Sequence, residues 1–201
     1  MPRPKQRTPE LRERVLRAAV DMLTTEGVAS FTTRRVAEEA GTSTPAVYEL
    51  FGDKAGLVRE MFFEGFRMLY RRLGELSSSA DPRADMIAVI PVLRAFAQDN
   101  PALARLMFST AFAEFDPGPS ERQAGAAVRE FIVCRVRRCT DAGVIDGDPA
   151  DIAHVLLAVA QGLILQETAG WLGTSRASMD RRWDLAATAL ASGLSSASPG
   201  A

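Results

Sequence analysis

The sequence predicts an all-α protein, and three observations carry that prediction. Apolar residues recur three and four apart through most of the 201 residues, the spacing that lines one face of a helix. No stretch alternates apolar and polar residues over a useful length, so no sheet is required. Helix start and stop signals divide the chain into about nine helices.

The first helix opens at Thr8 and Pro9, an N-cap followed by proline at N1. Leu11, Val15, Ala18, Ala19, Met22 and Leu23 form its apolar stripe, and Gly27 closes it. Phe31 follows, placed to fill a small core. Thr32 or Thr33 caps a second, short helix with Val36, Ala37 and Ala40 on its apolar side. Gly41 ends it, since glycine adopts positive φ without a Cβ clash. Ser43 then caps a third helix that carries Pro45 in its first turn and Val47, Tyr48 and Phe51 on its face. Two short helices around a glycine turn form a helix-turn-helix, whose second helix can enter a DNA major groove.

The ordered set Thr33, Ala37, Ala40, Gly41, Ser43, Tyr48, Phe51 and Lys54 resembles the DNA-binding domain of TetR-family transcriptional regulators. Leu50 stands where that family often has His, and Thr44 where a basic residue is common. The resemblance implies phosphate contacts from Thr33, Tyr48 and Lys54, with Ser43 capping the reading helix. Arg34, Thr44, Pro45 and Ala46 start the two helices, where base edges would be met. Either Arg34 or Arg35 could be the one that points at DNA. Glu49 would repel phosphates and is expected to face away or to read a cytosine amino group.

Asp53 is a good N-cap for a fourth, long helix reaching about Leu76, with Leu57, Val58, Met61, Phe62, Phe66, Leu69 and Leu73 along it. Lys54 in its first turn opposes the helix dipole, which suits a residue placed for a phosphate partner. Ser77 to Pro82 is a polar linker. Ala84 to Asp99 is helical in period but holds Pro91, which removes a backbone bond and should kink it. Asn100 and Pro101 restart the chain through Met107, Phe108, Phe112 and Phe115, and DPGPS from Asp116 breaks it. The next helix ends at Gly143. Asp148, Pro149 and Asp151 open the most apolar helix, which needs cover on both sides. Gly162 within it allows close approach of another helix. The last helix runs from about Met179 to Leu194, and residues 196–201 form a disordered tail by composition.

Composition narrows the function. Net charge is −1, but Arg3, Lys5, Arg7, Arg12, Arg14 and Arg17 face only Glu10 and Glu13 at the start. A basic arm beside a helix-turn-helix is the electrostatic footprint of phosphate contact. Cys134 and Cys139 have neither redox nor metal-ligand spacing, and one His leaves little to complete a metal site. No Gly-rich phosphate loop with Lys-Ser or Lys-Thr and no GxSxG is present, so no enzyme, cofactor or metal site is expected. No apolar run approaches the ~20 residues that span a bilayer. The charged N-terminus lacks a signal-peptide core, which points to the cytoplasm.

The expected organisation is a helix-turn-helix head over residues 1–54 joined to a helical effector-binding and dimerisation body over 55–195. Phe66, Tyr70, Phe96, Met107, Phe108, Phe112 and Phe131 supply aromatic and Met surface for a ligand. Arg135 and Gln161 are its candidate polar contacts, although the favoured reading of Arg135 is that it snorkels or pairs with a carboxylate within the fold. Leu156, Leu163, Trp183, Ala187 and Leu190 on the last two helices are the expected dimer interface. By resemblance the protein is a homodimeric repressor released from a palindromic, double-stranded operator by a small-molecule effector. An effector-independent architectural DNA-binding dimer, or a small-molecule carrier whose helix-turn-helix binds protein, are the rival readings.

Overall fold

The computed structural model describes residues 8–108 and 118–194. Its helices are α1 (Pro9–Glu26), α2 (Thr33–Glu39), α3 (Thr44–Phe51), α4 (Lys54–Gly74), α5 (Pro82–Ile87), α6 (Val89–Asp99), α7 (Pro101–Phe108), α8 (Pro119–Ala124), α9 (Ala126–Asp141), α10 (Pro149–Thr168) and α11 (Arg176–Gly193). One 3-10 turn, Val28–Ser30, joins α1 to α2. Among the described residues no β-strand is present. Two expected helices are each interrupted by one residue, Ala88 and Gly125, and each counted whole they bring the total among the described residues to the expected nine.

The first interruption is the expected effect of Pro91. Proline has no N–H to offer the carbonyl four residues earlier, and α5 ends at that residue, Ile87. Other boundaries follow the caps. Thr8 accepts from the Leu11 amide, Asp53 from Gly56, and Asp148 from Ala150 and Asp151. The last helix begins three residues before Met179, because Ser175 and Ser178 form a reciprocal capping box.

The chain folds into two compact units, Met1–Phe66 with Asn100–Gln123, and Arg67–Asp99 with Ala124–Ala201. This differs from a simple head and body in chain order. Helix α4 gives its residues through Phe66 to the first unit and the rest to the second. Helix α7 joins the first unit, where it packs on α1. Gly65 makes room there, since a Cβ at that position would collide with the Met107 side chain. The first core holds Val15, Ala19, Leu23, Val36, Val47, Leu57 and Met61, all essentially sealed from solvent.

In the second unit α10 packs on α9, α6 and α11, and α5 on α9. Phe96, Met86, Ile132, Val136 and Ala153 form its centre. The polar stretch from Ser77 lies inside this unit and is held by α9. Contrary to the sequence expectation, α10 is long and apolar enough to cross a membrane by length and composition alone. Its apolar surface is partly covered by α9, α6 and α11.

Candidate nucleic-acid interface

The first unit presents a helix-turn-helix whose turn is closed by two backbone bonds. At the end of α2 the Gly41 amide donates to the Glu38 carbonyl at 3.1 Å and the Thr42 amide to Ala37 at 2.9 Å. These two crossed bonds form a Schellman turn, which requires a left-handed residue between them. Gly41 supplies it with φ of 63°. Ser43 then caps α3, its hydroxyl accepting from the Ala46 amide at 3.3 Å. Val36, Ala37, Val47 and Phe51 are buried and lock α2 to α3.

That packing decides what α3 shows to a partner. Pro45, Tyr48 and Glu49 are exposed, with Thr44 and Ala46 half-buried beside them. Tyr48 is 44% exposed, so its ring belongs to the surface rather than the core. Thr33 is placed differently from the other expected contacts. Thr32 is the N-cap, accepting from the Arg35 amide, and Thr33 as N1 is only 6% exposed. Little of the Thr33 side chain is left for a phosphate.

The two arginines at the start of α2 separate cleanly. Arg35 makes a two-pronged pair with Glu26, at 2.6 and 2.9 Å, and also donates to the Ser30 carbonyl. It braces the end of α1 against α2. Arg34 has an 83% exposed side chain and pairs with Glu38 one turn along the same helix at 2.9 Å. Such an exposed i, i+4 pair is weak and easily exchanged for another anion.

The basic arm is only partly available. Arg3, Lys5 and Arg7 lie outside the described residues. Arg12 pairs with Glu60 at 2.9 Å and stacks over the Phe51 ring at 5.0 Å. Arg14 donates through Nε to the Ala40 carbonyl at 2.9 Å. Lys54 opens α4 and is half-buried, one residue after the Asp53 cap.

The expected ligand residues are divided between the two units. Phe66 and Phe108 meet edge to face at 6.3 Å in the first unit, and Tyr70 and Phe131 at 6.4 Å in the second. Phe96 is a sealed core residue, Met107 is buried, and Phe112 lies outside the described residues. Arg135 is buried, and its guanidinium is spent within the fold. It donates to the carbonyls of Asp85, Leu76 and Ser77 at 2.8–3.3 Å and stacks on Phe131. The fold takes the group expected for a ligand carboxylate. Gln161 is half-exposed, so no buried amide requires a partner there.

The expected dimer residues divide by burial. Trp183 and Leu156 are 4% and 3% exposed, buried within their own chain. Leu163, Ala187 and Leu190 are half-buried. The large apolar residues most exposed on these elements are Val155 on α10, Leu185 on α11 and Trp171 between them. Nothing lies within 4 Å of where a Cβ at Gly162 would stand, so that side of α10 is open. Period alone could have separated Leu185 from the Trp183 stripe, because two residues along a helix point apart.

Sequence reading also missed the charged network that fixes α11. Arg94 on α6 makes two bonds to Glu167 on α10, both 2.9 Å, and reaches Asp180 on α11 at 2.7 Å. Burial pushes the Glu167 carboxyl up, but hydrogen bonds from Arg94, Gln98 and Trp183 outweigh it and the net shift is downward. Among the described residues no group of His, Cys, Asp or Glu could hold a metal ion.

Comparison with known proteins agrees with this architecture. Residues 15–61 match the family described as bacterial regulatory proteins, tetR family, and residues 86–190 match the tetracyclin repressor-like C-terminal domain. The nucleoid occlusion factor SlmA of Aliivibrio fischeri is 31% identical over 103 residues, 50% of this chain and 53% of that protein. The chain thus spans about half the length of the first curated relatives it matches. A protein of unknown function from Rhodococcus sp. RHA1 is similar at 26% identity and a TM-score of 0.75, over 96% of this chain and 100% of that one. The Streptomyces coelicolor TetR family protein ActR, solved with (S)-DNPA, shares the fold at 19% identity and a TM-score of 0.65, over 91% of this chain and 96% of that one.

Proposed function

The chain belongs to the tetR family of bacterial regulatory proteins, and from that premise we propose that it is a homodimeric repressor, released from a palindromic operator by a small-molecule effector. The observation that carries this reading is the outward face of α3, with Pro45 and Tyr48 exposed on a helix whose opposite face is locked to α2. Such a helix can enter a major groove as a rigid reader. Tyr48 and Lys54 hold phosphates, which position the protein without reading sequence. Arg34, Thr44, Pro45 and Ala46 meet base edges. A guanidinium pairs with guanine, and the small apolar side chains pack on thymine methyls.

DNA reading falls to the segment up to Lys54, and effector binding and dimerisation to the helices beyond it. Two copies meet through the outward face of α10 and α11, where Val155, Leu185 and the open side at Gly162 lie. A two-fold interface sets two α3 helices about one DNA turn, ~34 Å, or a multiple apart. Tyr70 and Phe131 are the partly exposed aromatic pair in the second unit that an effector can meet. The effector shifts the protein between states only by its difference in affinity for them. The DNA target places this activity in the cytoplasm.

Selection of duplexes from a random-sequence pool tests the reading. A palindrome of two half-sites is the expected product, and a compound screen on that duplex should find one that releases the protein. A specific palindrome that no compound releases supports an effector-independent architectural dimer instead. Recovery of no duplex overturns the assignment to DNA.

A further inference from the structure

We propose that Arg14 is a positioning residue for DNA reading, holding the turn from which α3 departs; this rests on the assignment of the head to DNA. Its Nε–H donates to the carbonyl of Ala40 at 2.9 Å, across 26 positions of sequence. Ala40 is the C-cap of α2 and is buried. Three carbonyls in the last turn of α2 have backbone partners. Val36 accepts from the Ala40 amide, Ala37 from Thr42 and Glu38 from Gly41. Arg14 takes the Ala40 carbonyl, at the negative end of the α2 dipole, where a cation is favoured.

The next three residues, Gly41, Thr42 and Ser43, connect that peptide to α3, and Ser43 is the cap of α3. A bond from α1 to the Ala40 carbonyl therefore fixes the peptide plane from which the reading helix starts. Base recognition depends on bidentate geometry and so on the angle of that helix. Phosphate contacts tolerate more. Arg14 lies one residue ahead of the segment matched to the DNA-binding family. It is also exposed on α1 beside Glu13, which gives it the look of a solvated surface charge in the sequence.

Side-chain chemistry makes the role testable. In glutamine the amide nitrogen stands the same number of bonds from Cα as the arginine Nε. Arg14→Gln therefore keeps a donor for the Ala40 carbonyl while removing the charge. Arg14→Lys keeps the charge but places a methylene at that point, and Arg14→Met keeps neither. The assay uses the full chain, a duplex that the wild-type protein selects from a random pool, and a scrambled duplex of equal length.

Positioning predicts that Arg14→Gln binds the selected duplex like the wild type, with an unchanged salt slope. Arg14→Lys and Arg14→Met should lose on the order of fivefold there, the worth of one hydrogen bond, and little on the scrambled duplex. Thermal unfolding should leave all three variants folded at the assay temperature. The opposite order overturns the proposal. If Arg14→Lys binds normally while Arg14→Gln weakens and loses about one unit of salt slope, the residue is a phosphate grip. Equal binding by all three shows no role, and unfolding of Arg14→Met at the assay temperature makes Arg14 a stability residue. A wild-type protein that selects no duplex fails earlier, at the DNA assignment itself.

Discussion

The indole Nε1–H of Trp183 donates to Oε2 of Glu167 at 2.6 Å, and the Arg94 guanidinium lies over the same indole at 5.2 Å. This bond turns the largest residue of α11 inward, onto α10 and α6 of its own chain. The large apolar side chain that α11 leaves most exposed, Leu185, is 69% exposed. Trp183→Ala should therefore destabilise the single chain, by about 3–5 kcal/mol for a large buried aromatic, as read by chemical denaturation. Leu185→Glu should leave the fold intact and shift the protein toward monomer in sedimentation. A Leu185→Glu variant that sediments as wild type removes this face from the interface.

Arg34 and Arg35 should respond differently to alanine. Arg35→Ala breaks the two-pronged pair with Glu26 and loosens the α1–α2 junction, so thermal stability should fall. Arg34→Ala should leave stability within about 0.5 kcal/mol, as exposed pairs usually do, and relax base preference at one operator position. Equal stability losses in the two variants would contradict the division drawn between them.

Tyr48→Ala should weaken selected and scrambled duplexes alike, because a phosphate contact carries no base information. Loss on the selected duplex alone would move Tyr48 from gripping to reading. Lys54→Ala should reduce the salt slope of binding by about one unit, and an unchanged slope takes it off the phosphate list.

Acid should loosen the second unit at a predictable place. The Ser79 amide, then the Arg138 guanidinium, hold the Asp85 carboxyl down to about 2. A carboxyl lowered on folding stabilises the fold above its unfolded range near 4. That contribution fades as pH falls from there through about 2. Asp85→Asn should flatten the stability profile in that window and lower stability at neutral pH. A profile with the same acid slope in both proteins would show that Asp85 is not the titrating group.

How much of this was legible in the sequence depends on the kind of bond involved. Local devices read well: the caps at Thr8, Ser43 and Asp148, the Gly41 turn and the Pro91 break all act within four residues of themselves. Stripes also read well, and they placed the fold. Faces were harder. In a helix apolar on several sides, period does not say which side meets its own chain, and so it does not distinguish Trp183 and Leu156 from residues that face outward. Long polar side chains were hardest, because an arginine reaches partners far away in sequence. Arg135 is 59 positions from the Leu76 carbonyl it binds, and Arg14 and Arg94 are similar cases. Gly56 is a separate case, a contact only five residues away. Its Cβ would run into the Phe51 carbonyl, a close approach that no local pattern announces.

Footprinting on the DNA upstream of the protein's own gene tests the central claim most directly. A regulator of this design should protect one discrete palindrome, with two half-sites centred about one helical turn or a multiple apart. Uniform protection along the fragment, or none, would contradict it.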